Sequence, residues 1–353
     1  MVLKLLKILK KIILILFLAS FISSAQNKYP TNYFRSPLDI SLHLSGTFGE
    51  LRNNHFHAGV DIKTKRRTGF PVYATADGYV SRIKVAIWGY GKVIYISHPN
   101  GYTSVYAHLS KFGDGIQEYV KNIQYKKESY ETGNIYPAEN KIIVKKGQVI
   151  AYTGRTGGFV APHLHYEIRD TKTEHIINPL LFGLKIKDSI APRIKRLIAY
   201  PIGEGSRINR SVNKQTLAIK KDSLNNYRTN RISASGSIGF GINVHDLLGK
   251  ELNKNGVYSI EMKVNGKRHY YHDVETFSFS ESKFINLLID YEYYSKYKSR
   301  IQKTFREKEN KLSIYKDLIE EGGITINEGL NYQVEIIAKD FIGNSSSLKI
   351  PVV

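Results

Sequence analysis

His57 and Asp61 stand four positions apart, with Gly59 midway between them. On an extended segment these three positions share one face, because successive side chains of a strand point to opposite faces. The glycine would then leave open space between an imidazole and a carboxylate, two side chains that bind zinc. The spacing alone is weak, since such a pair more often forms only a local hydrogen bond.

A second pair, His163 and His165, would lie on one face of a strand, with Leu164 turned toward the core. Taken alone, two histidines in this spacing are more often exposed or hydrogen-bonded than bound to metal. Together with the first pair they are more informative, because two histidines and one aspartate form a suitable zinc site. Three protein ligands leave the fourth tetrahedral position for a water molecule. The remaining histidines would then be free for proton transfer.

Short runs rich in Val, Ile, Tyr and Thr surround these histidines and are separated by turn residues. They predict strands at 72–76, 79–86, 93–97, 103–109, 147–152 and 163–169. We therefore expect a mainly β, mostly antiparallel domain over residues 26–189. Residues 110–146 are polar and lack a clear period, so we expect an excursion from the sheet that could cover the site as a lid, or equally a surface flap.

Residues 190–353 predict a second unit, a β-sandwich that carries a helical insertion. The strongest hairpin signal is Asn265-Gly266, which supplies the positive φ of a type I′ turn between strands at 257–264 and 267–273. The spacing of apolar residues from 281 to 299 predicts one amphipathic helix. Further strands are expected at 236–244, 332–338 and 346–352.

Five ordered segments resemble the LytM/lysostaphin-type zinc peptidases of family M23, over about residues 40–182. They are Phe48-Gly49-Glu50-Leu51-Arg52, His55-Phe56-His57-Ala58-Gly59-Val60-Asp61, Pro71-Val72-Tyr73-Ala74-Thr75-Ala76-Asp77-Gly78, Asn100-Gly101-Tyr102 through Tyr106-Ala107-His108-Leu109-Ser110, and Gly154-Arg155-Thr156-Gly157 through Pro162-His163-Leu164-His165-Tyr166-Glu167.

This resemblance implies that His57, Asp61 and His165 bind Zn²⁺ and that His108 and His163 flank the metal-bound water. Family members of this type cut peptide crosslinks of bacterial peptidoglycan. The implied roles are chemically sound. Zinc lowers the pKa of its water toward about 7 and polarises the scissile carbonyl, while neutral imidazoles can accept the proton and stabilise the oxyanion.

Two features depart from the family pattern or fall outside it. Residues 158–161 read Gly-Phe-Val-Ala, where the family usually has Ser or Thr and Gly, so substrate contacts from this loop are expected to differ. Residues 340–344 resemble only a late-strand turn of bacterial Ig-like modules.

His98, before a Pro-Asn-Gly turn, is expected to form a turn or supporting hydrogen bond, and His55 is left out of the site.

The N-terminus and the net charge indicate where the protein acts. Four lysines precede the apolar run 12–22, which is shorter than the roughly 20 residues of a spanning helix and ends before Ser23-Ser24-Ala25. This pattern predicts a signal peptide at 1–25, export to the periplasm or cell envelope, and no stable transmembrane anchor after cleavage. The 353 residues include no cysteine and carry a net charge of +21, which favours an anionic partner. The charge is spread nearly evenly over both halves, so we expect no nucleic-acid binding.

Two classes of function remain open. The first is an exported zinc endopeptidase that cleaves peptidoglycan crosslinks. The second is a non-catalytic cell-wall-binding module that regulates another wall hydrolase, with an envelope regulatory protein as a possible partner. The complete ligand set favours the first class.

Overall fold

The computed structural model describes residues 28–158, 161–222, 224, 226–248 and 253–353. The predicted signal peptide at 1–25 and residues 159 and 160 of the atypical loop lie outside the described residues. Within these ranges, no helix has the length and apolar character needed to cross a membrane.

The first half of the chain folds mainly into antiparallel strands. They are β1 (Leu44–Gly46), β2 (Val60–Lys63), β3 (Pro71–Tyr73), β4 (Gly78–Val85), β5 (Lys92–Ser97), β6 (Tyr102–Ala107), β7 (Lys111–Phe112), β8 (Gly133–Ile135), β9 (Ile143–Val144), β10 (Val149–Tyr152), β11 (His163–Asp170) and β12 (Ile176–Ile177). The main sheet has the order β1-β2-β11-β6-β5-β4-β8, and β3-β10-β7 form a smaller sheet. A 3₁₀ helix spans Pro179–Phe182. The predicted strands and the β fold class are confirmed.

Strand β11 is buried along nearly its whole length, although every second residue on it is polar. Leu164, Tyr166 and Ile168 belong to the hydrophobic core. His163 and His165 therefore lie on the opposite face, as the alternation predicts. A buried polar face on a central strand needs partners for its polar atoms, and these partners build the site described below.

The excursion at 110–146 is more regular than expected, because it contains helix α1 (Asp114–Lys127). Ile116 and Val120, one helical turn apart, are buried in the core, while most of the other α1 side chains are exposed. Tyr119 and Ile123 pack partly buried against the same core, so residues 116, 119, 120 and 123 follow a helical period that the sequence analysis missed. After α1, the chain returns to the main sheet, where β8 and β9 both pair with β4.

The second half forms two further sheets. Its strands are β13 (Arg193–Ile208), β14 (Gln215–Leu217), β15 (Ile219–Lys221), β16 (Tyr227–Thr229), β17 (Ala234–Leu248), β18 (Asn253–Asn255), β19 (Ser259–Val264), β20 (Lys267–Asp273), β21 (Thr276–Phe277), β22 (Gln302–Lys303), β23 (Tyr315–Leu318), β24 (Ile324–Ile326), β25 (Tyr332–Lys339) and β26 (Ser345–Val352). Except for β21, these strands form the sheets β14-β13-β17-β18, with β22 and β24 on β17, and β15-β16-β26-β25-β19-β20-β23. The two sheets share one core, which gives the predicted β-sandwich.

The Asn265-Gly266 hairpin is confirmed, with positive φ at both residues. The single helix expected at 281–299 is wrong: the segment contains a 3₁₀ turn (Ser282–Phe284), helix α2 (Ile285–Leu288) and helix α3 (Tyr291–Tyr297). The break follows from Asp290, whose carboxylate accepts a hydrogen bond from the Tyr293 amide and starts a new helix. A last 3₁₀ turn lies at Glu320–Gly322.

The two halves share structure. Strand β21 of the second half pairs with β12 of the first, and Phe277 packs against Phe48 and Phe56 at ring distances of 4.9 and 5.0 Å. The first hydrophobic core also contains Val274, Phe277, Ile285, Leu288, Leu312 and Ile314. The domain limits of 26–189 and 190–353 stay a prediction, but the first core draws on residues beyond the first range.

Replacing Phe277 with alanine should therefore destabilise the protein by about 3–5 kcal/mol, the usual cost of removing a buried phenylalanine ring. Urea unfolding would measure the change. Phe279→Ala is the matched control, because its ring is 49% exposed and its loss should cost well under half as much. Equal destabilisation by both variants would contradict the role of Phe277 in joining the halves.

Candidate active site

Three of the predicted side chains meet at the junction of β2 and β11. The two strands are antiparallel neighbours, and His165 stands directly opposite Asp61, while His57 precedes β2. Asp61 Oδ1 lies 3.0 Å from His57 Nε2 and 2.8 Å from His165 Nδ1, and the two imidazole nitrogens are 3.1 Å apart. All three side chains are buried. The sequence prediction that these three residues come together is thus met by the geometry.

The remaining nitrogen of each imidazole shows which tautomer it adopts. His57 Nδ1 lies 2.8 Å from the carbonyl oxygen of Thr47, and His165 Nε2 lies 2.9 Å from Glu167 Oε1. Both partners only accept hydrogen bonds, so these nitrogens carry the protons. His57 Nε2 and His165 Nδ1 therefore point their lone pairs toward Asp61 and toward each other.

This arrangement fits a zinc ion. Ligand atoms about 2.0–2.1 Å from a tetrahedral zinc lie roughly 3.3 Å apart, and the observed separations of 2.8–3.1 Å need only a small expansion to reach that value. Three electron-pair donors, one of them a carboxylate, converge on one point, and Arg52 contacts the other oxygen of that carboxylate, Oδ2, at 3.4 Å. His57, Asp61 and His165 are the residues that would hold the metal.

Glu167 positions His165 from behind. It is fully buried, and besides His165 it accepts hydrogen bonds from the hydroxyl of Tyr90 and from Arg169 Nε at 2.7 Å. A carboxylate on the second nitrogen of a metal-binding histidine fixes the ring and raises its basicity. The sequence analysis quoted Glu167 in a motif but gave it no role, although the alternation along β11 places residues 163, 165, 167 and 169 on one face.

These contacts shift the ionisation of the site in the metal-free protein. Burial lowers the pKa of His165, but its hydrogen bonds to Asp61 and Glu167 overcome this and raise the pKa to about 9. Burial raises the pKa of Asp61, yet His57 and His165 outweigh it and hold that pKa well below the usual range. The site is built to hold positive charge, in the form of a proton or a metal ion.

His108 and His163 stand beside this cluster with their rings 4.7 Å apart. His108 Nδ1 lies 3.0 Å from the Thr156 carbonyl and His163 Nδ1 lies 3.0 Å from the Ala161 carbonyl, so Nδ1 is protonated in each and Nε2 can accept a proton. His163 Nε2 is 3.7 Å from Asp61 Oδ1. Burial lowers the pKa of His108 to about 3 and lowers that of His163, so both rings are neutral at neutral pH.

Gly59 has a different role from the one expected. The space beside it is filled: a Cβ there would lie 2.4 Å from the Tyr166 carbonyl oxygen and 3.0 Å from His165 Nε2. The glycine therefore lets β11 approach β2 closely enough for His165 to reach Asp61.

His55 and His98 lie outside the cluster of ligands. His55 is exposed and hydrogen-bonds to the Asn53 carbonyl. His98 is buried between the Asp77 carbonyl and the Ser104 hydroxyl, at 2.8 and 2.7 Å, which confirms the hydrogen bond expected for it at this turn. Burial lowers its pKa to about 4.

An open cavity of about 1020 Å³ leads to the site, and both halves of the chain line it. The first half contributes Trp88 and Tyr90 as well as His57, Asp61, His108 and His165. The second half contributes Phe279, Ser282, Lys283 and Arg300. Among the tyrosines of the 110–146 segment, Tyr119 packs against the core, whereas Tyr125, Tyr130 and Tyr136 are exposed. Asn134 is the residue of the 110–146 segment that lines the cavity.

Comparison with known proteins shows a match to one peptidase family. Residues 55–125 match the model of Peptidase family M23. The chain is 36% identical over 113 residues to the DD-carboxypeptidase/endopeptidase Mpg of Neisseria meningitidis serogroup B, covering 32% of this chain and 20% of that protein. It is 32% identical over 141 residues to the peptidoglycan DD-endopeptidase ShyC of Vibrio cholerae, covering 38% and 26%. The chain thus spans about a fifth to a quarter of the length of these relatives.

Among solved structures, the catalytic domain of lysostaphin from Staphylococcus simulans is similar at 23% identity, with 39% of this chain and 90% of that chain covered and a TM-score of 0.29. The family match and the curated relatives together show that the chain contains a Peptidase M23 domain.

The environment of His165 predicts how zinc binding depends on pH. Below about pH 9 zinc must displace a proton from His165, so zinc affinity should fall as pH falls, by up to about tenfold per pH unit. Glu167→Gln should weaken zinc binding about 10- to 100-fold and move the pH dependence to lower pH, because a carboxylate that raises the pKa of His165 is gone.

Zinc titration against a competing chelator from pH 6 to pH 9 would measure both effects. Glu174→Gln is the matched control, because Glu174 also contacts Arg169, at 2.7 Å, but is half exposed and does not touch His165. If the Glu174 and Glu167 variants bind zinc equally well, Glu167 does not position the ligand.

Proposed function

We propose that this chain, which contains a Peptidase M23 domain, is an exported zinc endopeptidase that cleaves peptide crosslinks of bacterial peptidoglycan. The observation that carries the proposal is the convergence of His57 Nε2, Asp61 Oδ1 and His165 Nδ1 within 3.1 Å of one another at the end of an open cavity. Three ligands on one side leave a zinc ion open toward the cavity, as catalysis requires.

When bound, zinc supplies a Lewis acid that activates water and polarises the scissile carbonyl. The chain's own residues supply the proton transfers. His163 is neutral at neutral pH and keeps Nε2 as an acceptor beside the metal ligands, which suits it to take a proton from the attacking water. His108 holds its ring against that of His163. Its Nε2 is an acceptor in the neutral ring, so it can donate to the oxyanion or the leaving amine after it has taken up a proton released by the attacking water.

The charge of the cavity supports an anionic substrate. Arg52, Arg82, Lys84, Arg169, Lys283 and Arg300 line it, against the carboxylates of Glu50 and Asp61. Within the described part of the chain, Lys84 and Lys283 form no ion pair, whereas Arg82 and Arg169 both bind Glu174. Crosslinked stem peptides carry free carboxylates, so these lysines can draw them toward the metal. The curated relatives named as peptidoglycan DD-endopeptidases favour a D,D-crosslink as the scissile bond.

The location in the envelope is part of the same proposal. A basic protein with a predicted signal at 1–25 would meet an anionic wall after export, and its positive charge would raise the encounter rate. Peptidoglycan is then its main partner.

The catalytic proposal predicts different outcomes for a ligand and for a proton acceptor. Asp61→Ala should lose both zinc and activity, since two histidines hold zinc poorly. His163→Ala should keep one zinc per chain and lose about 10²- to 10⁴-fold in rate. His108→Ala should behave like His163→Ala. Elemental analysis gives the zinc content, and mass spectrometry of muropeptides from digested sacculi gives the rate and the bond cleaved.

His98→Gln is the control for these variants, because His98 is buried but lies outside the site, and its zinc content and rate should stay near the parental values. A zinc-loaded parent that binds sacculi and leaves crosslinks intact would overturn the enzyme assignment in favour of a wall-binding regulatory module. Undiminished zinc in Asp61→Ala would overturn the ligand assignment.

The basic cavity predicts that recognition depends on salt. Removing Lys84 and Lys283 together should lower kcat/KM on carboxylate-bearing crosslinked peptides by about two- to thirtyfold, because each exposed charge contact contributes about 0.2–1 kcal/mol. The double variant should also respond less to added salt. Lys121→Ala with Lys172→Ala is the control, since both side chains are exposed away from the cavity lining. An equal salt response in the parent and the Lys84 and Lys283 variant would refute this part of the proposal.

A further inference from the structure

A second group of ligating side chains lies at the junction of the two halves, away from the peptidase residues. Asp188 follows the first half, Asp246 lies on β17, and Asp340 lies in the turn between β25 and β26. One carboxylate oxygen of each lies within 4.8 Å of the others. Asp246 and Asp340 are buried, with exposed fractions of 1% and 5%.

Like charges buried this closely destabilise the protein unless a cation or protons neutralise them. Among the described residues, no lysine or arginine forms an ion pair with these three carboxylates; the strongest influences on the pKa of Asp246 are its burial and the other two carboxylates, which raise it to about 7. The cluster therefore needs a positive charge that described side chains do not supply.

The hydrogen bonds of the three carboxylates leave oxygen atoms free for a ligand. Asp340 is fixed in place, since its oxygens accept from the amides of Gly343 and Asn344 and from the Asn344 side chain, at 2.7–2.9 Å. Asp246 Oδ1 and Asp188 Oδ2, in contrast, are buried and have no hydrogen-bond partner. Asp246 is thus a nearly fully buried carboxylate with a free oxygen within reach of two other carboxylates.

A fourth oxygen is available on the neighbouring strand. Asn255 on β18 pairs directly with Asp246 across the ladder, so the two side chains lie on the same face of the sheet. Asn255 is buried, its amide nitrogen donates to the Asn253 carbonyl at 3.2 Å, and its Oδ1 has no partner. This leaves a carboxamide oxygen, a common ligand of hard cations, on the residue that faces Asp246 across the ladder.

We propose that Asp188, Asp246 and Asp340, with Asn255 as an additional oxygen donor, form a structural calcium site between the two halves. All the donors are oxygens, as calcium prefers. Oxygens bound to one calcium at about 2.4 Å lie at most about 4.8 Å apart, which the cluster satisfies. A cavity of about 20 Å³ lies among these carboxylates and can hold one ion or one water molecule.

The position of the site indicates what calcium would do there. The same cavity is lined by Thr47 and Phe48 of the first half and by Val257 and Tyr258 of the second. A cation bound by Asp188, on the connection between the halves, and by Asp246 and Asp340, in the sandwich, would tie the connection to the sandwich. This role is separate from the peptidase activity and does not depend on it.

The test uses the full chain, freed of metals on a chelating resin and then given one equivalent of zinc. Titration with calcium chloride in a calorimeter should show one calcium per chain. At a hundredfold excess over the Kd, calcium should raise the midpoint of thermal unfolding by roughly 5–10 °C. Magnesium at the same concentration should raise it less, since the smaller ion demands a tighter octahedral site.

Asp246→Asn keeps the size of the side chain and removes its charge. This variant should lose calcium binding and the thermal shift, while its midpoint without calcium equals or exceeds that of the parent because a buried repulsive charge is gone. Asp222→Asn is the control, because Asp222 is an exposed aspartate outside the cluster. Its carboxylate accepts hydrogen bonds from the amides of Leu224 and Asn226. This variant should keep the full response to calcium.

Absence of calcium binding in the parent would overturn the proposal and leave bound protons as what neutralises the cluster. An undiminished calcium response in Asp246→Asn would overturn the assignment of these ligands, and an equal response to magnesium would overturn the choice of calcium. Zinc content, measured in the same samples, separates all these outcomes from any failure of the peptidase site.

Discussion

The meeting of three electron-pair donors around one point is the constraint on which the rest of the structure depends. His57 Nε2, His165 Nδ1 and Asp61 Oδ1 repel one another unless a positive charge lies among them. The two imidazoles are held there by the Thr47 carbonyl behind His57 and by Glu167 behind His165. Glu167 in turn is neutralised by Arg169, whose cation and hydrogen bonds help to hold the pKa of Glu167 at about 2 despite its complete burial. The cost of assembling these groups is recovered when a metal binds.

The second half of the chain supports this arrangement directly. Residues of the second half hold the loop at 52–56, which leads into His57. The Phe56 amide donates a hydrogen bond to the Ser282 hydroxyl at 2.8 Å. Asn53 Oδ1 accepts hydrogen bonds from the Tyr294 hydroxyl at 2.6 Å and from Arg300 at 2.8 Å. Thr47, whose carbonyl orients His57, bonds through its hydroxyl to the backbone of Gly256. The sandwich is therefore part of the scaffold of the candidate site as well as part of its cavity.

The sequence was sufficient for the features that arise from strict local patterns. Alternation along β11 predicted which face His163 and His165 share, and Asn265-Gly266 predicted a hairpin because only a few residue types accept positive φ at both positions. The same alternation places Glu167 on the face that carries His165, so the contact between these two side chains could also have been predicted. Two predictions failed for different reasons. The helical period of residues 116, 119, 120 and 123 in α1 was present in the sequence but was missed within a polar segment. At 281–299, Asp290 starts a new helix in the middle of an apolar pattern. The pairing of β12 with β21 and the grouping of Asp188, Asp246 and Asp340 join residues far apart in sequence, and no local pattern encodes them.

The pairing of β12 with β21 also constrains the order of folding. The Thr276 hydroxyl bonds to the Ile176 carbonyl across 100 positions, and the first core is completed only by side chains as late as Leu312 and Ile314. Contacts of such separation form slowly, because a long loop must close before they contribute. Because synthesis starts at the N-terminus, most strands of the first half are made first. The residues that close their core and hold the loop before His57 are made long afterwards. Full assembly of the candidate metal site thus requires residues as late as 314, which delays its completion until late in synthesis.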